Sequence, residues 1–269
     1  MRIIKSEKIK ENIINNLKNN NYQKKLLLIS QASDKGVIAY KKAIIRRCRE
    51  FSIDFLDMKF SENENHLDIV KSCKNLDNIG GFIVLQPLAS NTDMDYLREN
   101  MPFRDLDCFR YDSLGKLMAN NFCNLPQTAK SCIRFIDFLD LDLRGKDIVI
   151  ANSNNVIGRP LFLYLNSKKA TVTLFNSKTK NQKEKIKKAD IFISAIGRPN
   201  YYNKDYFKDG QVLIDVGTSY IDGKAYGDID YDSISNMDIF LVKSTNGVGS
   251  ITTLSLLESL IESPKIKKN

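Results

Sequence analysis

The chain has 269 residues, more than one small core usually organises, and its 42% hydrophobic share supplies apolar surface for two modest domains. Apolar runs such as Phe82-Ile83-Val84-Leu85 fall far short of the ~18 residues a membrane helix needs, and the opening Met1-Arg-Ile-Ile-Lys-Ser-Glu-Lys is charged. Neither a membrane span nor a signal peptide is expected; the excess of 41 Lys and Arg over 32 Asp and Glu is scattered, which argues against a nucleic-acid surface, and a positive balance suits small anionic ligands equally well.

In chain order, residues 6–19 have the spacing of an amphipathic helix capped by Ser6, 26–29 that of a buried strand, and 34–51 that of a second helix. A strand over 53–58, a polar helix over 62–73 and a strand over 82–85 follow. Repetition of β-α-β predicts a parallel or mostly parallel sheet covered by helices. After 93–98 comes an irregular stretch to about Pro126, of the kind that tends to carry function. A helix over 127–139 leads through Arg144-Gly145-Lys146 into a strand over 147–151. The alternation then resumes with a helix after Gly158, a strand over 171–175 and a helix ending at Lys188. Strands over 191–195, 212–216 and 239–242 and a last helix over 252–261 complete it. The domain junction falls near Pro126. The basic clusters at 183–188 and 265–268 read as a solvated helix face and a frayed end.

Five cysteines (Cys48, Cys73, Cys108, Cys123 and Cys132) with no C-x-x-C pair imply neither a disulfide framework nor a zinc site. We read them as reduced thiols of a cytosolic protein. His66 has no second histidine to work with, so no metal or catalytic role is assigned to it.

The segment Ile148-Val-Ile-Ala-Asn-Ser-Asn-Asn-Val-Ile-Gly158-Arg-Pro160 is a strand, a polar loop and a helix with proline in its first turn. Such a loop can offer backbone N–H groups and the helix dipole to a pyrophosphate, while Gly158 lets helix and strand approach. The fingerprint is incomplete, since Ala151 holds the place of its first glycine. The next strand ends not in the carboxylate that binds a ribose 2′-hydroxyl but in Asn176-Ser177-Lys178-Thr179. That favours NADP over NAD, with Ser177 and Lys178 as candidate phosphate contacts. The bland alternative for Ser177 and Thr179 is helix capping.

Further motifs follow in order: Ala189-Asp-Ile-Phe-Ile-Ser-Ala-Ile-Gly-Arg-Pro199, Leu213-Ile-Asp-Val-Gly217, Gly227-Asp228 and Gly247-Val-Gly249-x-x-Thr252. With Tyr40 upstream, the chain resembles the FolD family of bifunctional methylenetetrahydrofolate dehydrogenase/methenyltetrahydrofolate cyclohydrolases over nearly its whole length. The resemblance implies a two-domain α/β fold. An N-terminal α/β folate domain (1–126, with 252–269 packing back onto it) would accompany a Rossmann-type nucleotide-binding domain (127–251), the active site lying in the cleft between them. It also implies tetrahydrofolate derivatives as ligands, NADP or NAD as cofactor, a cytoplasmic homodimer, and no metal, nucleic-acid or membrane partner. Carried over by position, Tyr40 matches the tyrosine that stacks on the folate ring system, and Asp107 the aspartate that hydrogen-bonds the pterin. Ala151, Asn152, Ser153 and Thr218 match nucleotide contacts. Gly249 and Thr252 belong to the loop facing folate and nicotinamide.

The departures fall on the chemistry. The family's lysine, four residues after the tyrosine on the same helix face, is used in cyclohydrolase proton transfer; here that position is Ile44. Lys41 and Lys42 are turned roughly 100° and 200° away around the helix. With Pro87 as anchor, Leu85 takes the place of the family's glutamine, and Gln86 points to the opposite face unless the strand shifts register. Thr245-Asn246 and Ser250 replace residues of the family's P-G-G-V-G-P-M-T loop, and the loop around Ser153 is one residue longer than usual. The expectation is a dehydrogenase whose cyclohydrolase activity is weak or absent. A folate- or nucleotide-binding paralogue without turnover and a different two-domain dehydrogenase of the shikimate or amino-acid type are the rivals.

Overall fold

The structure is a computed structural model that describes residues 1–19, 22–31 and 35–262. Two of the expectations above, the start of a helix at 34 and the frayed end at 265–268, lie outside the described residues. In chain order the elements are β1 (Arg2–Ile3), α1 (Glu7–Lys18), β2 (Lys25–Ser30), α2 (Lys35–Glu50), β3 (Phe55–Lys59), α3 (His66–Lys74) and β4 (Ile79–Leu85). Then come α4 (Met94–Asn100), α5 (Tyr111–Met118), α6 (Gln127–Phe138), β5 (Asp147–Ala151), α7 (Gly158–Ser167), β6 (Thr171–Leu174) and α8 (Gln182–Lys188). The chain finishes with β7 (Ile191–Ser194), β8 (Val212–Asp215), β9 (Ser219–Ile221), β10 (Lys224–Tyr226), β11 (Phe240–Val242) and α9 (Gly249–Ile261). None of these helices is long and apolar enough to cross a membrane.

The elements fall into two compact units. One comprises Ile13–Gln127 and the described residues from Thr253 on, the other Met1–Asn12 and Thr128–Thr252. The three-stranded unit carries the parallel sheet β3-β2-β4, with β2 central. From Leu26 through Ser30, β2 is buried residue after residue, as a strand covered on both faces must be. Leu27, Ile29, Phe82 and Val84 meet Ile69, Val70 and Cys73 of α3 in one core. The stretch expected to be irregular up to Pro126 contains α5, whose N-cap Arg110 makes no side-chain cap bond and so leaves no cap signature to read.

The six-stranded unit holds the sheet β1-β11-β8-β7-β5-β6, parallel throughout. A first domain of 1–126 is corrected at its start: β1 pairs with β11, so residues 1–12 go with this unit. Two residues are too short to announce a strand by periodicity. Ser6 also differs from its expected role, because its hydroxyl, fully buried, donates to the Asn246 carbonyl at 2.8 Å. The connection order matters for function. From β5 the chain goes to β6 on one side and returns to β7 on the other, opening a crevice at the carboxyl ends of these strands, where open α/β sheets take their ligands.

Candidate functional site

A cavity of about 420 Å³ occupies that crevice. Ala151, Asn152, Ser153 and Asn154 line it from the end of β5, and Phe175, Asn176 and Ser177 from the end of β6. Ala195, Ile196 and Arg198 close it beyond β7, with Gln182, Tyr201 and Tyr202 on the remaining wall. Among the described residues that line it there is no carboxylate. Of the residues expected to contact a nucleotide, Ala151, Asn152, Ser153 and Ser177 line this cavity, whereas Gly158, Lys178 and Thr218 stand outside the lining. Sequence reasoning passed over Arg198, Tyr201 and Gln182.

Gly158 fits the close-approach role, because a Cβ there would come within 2.2 Å of the Asn152 carbonyl oxygen. The loop before it corrects an expectation. Four of its N–H groups are already taken: Asn152 Oδ1 accepts from the N–H of Asn154 (2.9 Å) and Gly158 (3.2 Å), and Asn154 Oδ1 from those of Val156 and Ile157 (3.0 and 2.8 Å). Two asparagine amides thus do by side chain what a bound pyrophosphate would do by charge. Asn152 also donates to the Ala195 carbonyl at 2.7 Å, tying the β5 loop to the β7 loop. Asn176 caps its own turn, accepting from the Lys178 N–H at 2.9 Å, while its N–H donates to Thr179 Oγ1 at 2.9 Å.

Beneath the cavity lie two fully buried carboxylates. Asp228 accepts from the Ser194 hydroxyl (2.7 Å) and from the N–H groups of Ile196 and Arg198 (2.8 Å each), so it holds the β7 wall in place. Asp215 accepts from the N–H groups of Asp228 and Ile229 (3.0 Å each) and from the Tyr231 hydroxyl (2.9 Å). Burial raises the Asp215 carboxyl to about 7 against the N–H of Ile229, with the negative charge of Asp228 adding to the rise. The motif glycines are explained by the same pair, since a Cβ on Gly217 or Gly227 would stand 2.1 or 2.0 Å from these carboxylates.

In the three-stranded unit α2 presents Tyr40 half-buried, and the structure brings Asp107 close enough to act on it. Burial pushes the Tyr40 hydroxyl well above the ordinary tyrosine range, and the charge of Asp107 pushes the same way. Asp107 is itself raised to about 7 by burial, against a 2.7 Å bond from the Gln127 N–H and with repulsion from Asp105. A carboxyl that holds its proton longer when folded binds more protons in the native than in the unfolded state across the interval from about 4 to about 7, so it lowers stability as pH rises through that window. Asp107→Asn should therefore flatten the fall in unfolding free energy over that interval, measured by urea titration at several pH values. An unchanged slope would show that Asp107 is not the titrating group.

Ile44, one turn beyond Tyr40, is fully buried. Lys41 is occupied elsewhere, its ammonium 3.0 Å from Asp57 and 3.2 Å from the Ser30 hydroxyl, and Lys42 is exposed. At the end of β4, Leu85 is buried and Gln86 exposed. In the six-stranded unit the 244–249 loop is pinned by Ser250, whose hydroxyl donates to the Gly247 carbonyl at 2.7 Å, and Asn246 takes a left-handed φ of 57°. Thr252 is buried, with its hydroxyl donating to the Val248 carbonyl at 3.1 Å. A Cβ on Gly249 would approach the Ser244 carbonyl to 3.3 Å.

Residues 126–268 match the family model described as tetrahydrofolate dehydrogenase/cyclohydrolase, NAD(P)-binding domain. A curated relative, the bifunctional protein FolD of Clostridium beijerinckii, is 35% identical over 263 residues, covering 95% of this chain and 93% of the relative. Among solved structures, the bifunctional FolD methylenetetrahydrofolate dehydrogenase/cyclohydrolase of Campylobacter jejuni superposes with a TM-score of 0.86 at 28% identity, over 95% of this chain and 94% of the other. The bifunctional enzyme of Thermoplasma acidophilum gives 0.87 at 26% identity over the full length of both. The chain belongs to the tetrahydrofolate dehydrogenase/cyclohydrolase family.

Proposed function

We propose that this protein oxidises 5,10-methylenetetrahydrofolate to 5,10-methenyltetrahydrofolate with NADP, as a cytoplasmic homodimer, and hydrolyses the methenyl product weakly or not at all. The observation that carries the first part is the acid-free cavity at the carboxyl ends of β5, β6 and β7 in a chain of this family. A dinucleotide held by Ala151, Asn152, Ser153 and Ser177 would supply the hydride acceptor, and the end of β6 carries no carboxylate to oppose a 2′-phosphate. In the other unit Tyr40 offers a ring for the pterin to stack on. Asp107, half-protonated near neutrality, offers both a donor and an acceptor to its polar edge.

Hydride transfer asks the protein mainly to position two ligands, whereas hydrolysis asks it to move a proton. Ile44 can move none. Lys41 is committed to Asp57, and Gln86 is turned to solvent. Mixing the protein with methylenetetrahydrofolate and NADP should make the methenyl absorbance rise and persist. Rapid conversion to 10-formyltetrahydrofolate without accumulation would defeat the monofunctional reading. No absorbance change with either NADP or NAD, despite measurable ligand binding, would make the protein a binding paralogue instead.

A further inference from the structure

The sequence assigns phosphate recognition to Ser177 and Lys178 and to the free N–H groups of the 152–158 loop. In the structure four of those loop N–H groups, at 154, 156, 157 and 158, are spent on Asn152 and Asn154, and Lys178 is not part of the cavity wall. A dianionic group in this cavity still needs a cation. Among the described residues that line it, one carries a charge: Arg198, at the end of the Ser194-Ala-Ile-Gly-Arg segment.

Three features aim Arg198. Its N–H is anchored to the buried Asp228 carboxylate at 2.8 Å, so the backbone from which the side chain starts is fixed. Its guanidinium lies 5.5 Å from the centre of the Tyr201 ring, a cation–π contact that limits the conformations the long side chain must give up on binding. Tyr201 in turn packs edge-on against Tyr202, with ring centres 4.8 Å apart and planes at 84°, and Tyr202 is buried against Phe192. The guanidinium is solvent-exposed and keeps its planar fork for an incoming group.

We infer that Arg198 is the residue that reads the 2′-phosphate of the dinucleotide, and so sets NADP over NAD, a role left open where the β6 end offers a serine and an asparagine but no cation on the wall. This rests on the dinucleotide reading above.

The test is calorimetric titration of the full chain with NADP, NAD and 2′,5′-ADP, which carries the 2′-phosphate without nicotinamide. Arg198→Gln, an exposed substitution, should weaken NADP and 2′,5′-ADP by about 10- to 100-fold while NAD stays within about twofold, and Arg198→Lys should fall between. Equal weakening of NAD would place Arg198 on the pyrophosphate and overturn the inference, as would unchanged affinity for NADP or a wild-type preference for NAD. If the wild-type chain binds no dinucleotide at all, the proposed function fails and takes this inference with it; NAD binding without NADP preference sinks the inference alone.

Discussion

Replacing Ile44 by lysine is expected to raise methenyltetrahydrofolate hydrolysis by about 100-fold or more, the usual yield of one well-placed acid or base. Position 44 lies one turn from Tyr40, and residues four apart share a helix face. It is also fully buried, so the new amine would sit where the charged form is disfavoured. Such a lysine titrates well below its ordinary range and is partly a free base near neutrality, which is what proton transfer requires. The same burial exacts stability: losing the isoleucine's apolar contacts and desolvating an amine should cost about 2–4 kcal/mol. Decay of methenyl absorbance reads the first effect and urea unfolding the second. A folded variant that still binds folate but hydrolyses no faster than the parent would mean that Ile44 does not occupy the lysine's place.

The second large effect is expected at Asp215. Truncation to alanine strands the fully buried N–H groups of Asp228 and Ile229 and takes the acceptor from the partly buried hydroxyl of Tyr231. Each orphaned buried donor costs about 1–3 kcal/mol, so the variant should lose about 3–5 kcal/mol and unfold at markedly lower urea. The Tyr231 hydroxyl also accepts the Ser244 N–H at 3.3 Å, so the damage should reach the 244–249 loop. A loss below about 1 kcal/mol would show that solvent enters and satisfies the stranded groups.

Much of this architecture is written into short-range pattern. Continuous apolar runs such as Leu26 to Ile29 betray strands covered on both faces, and polar helical stretches between them imply parallel pairing. Tyr40 and Asp107 could be named from motif resemblance, and the structure places Asp107 where its charge raises the Tyr40 hydroxyl. Long-range hydrogen bonding was not legible. Nothing in Asn152 or Asn154 announces that their amides will take up four N–H groups of their own loop, since an asparagine fits equally well as a ligand contact. Ser6 looks like a helix cap because caps are local, whereas its hydroxyl is claimed by a carbonyl 240 positions away. In sequence Arg198 is one residue of the Ser194-Ala-Ile-Gly-Arg motif with nothing to single it out. Its place on the cavity wall depends on Asp228, thirty residues on.

The pairing of β1 with β11 has a consequence for the growing polypeptide. Phe240 leaves the ribosome 238 residues after its partner Arg2, which at ordinary rates of synthesis is roughly ten seconds or more. Throughout that time the amino-terminal segment has no sheet to join, and the edge of β11 that it will cover does not yet exist. The last of the described strands must capture the first, so closure of this sheet waits until β11 has been made, and anything that occupies residues 2–3 during that wait would compete with it.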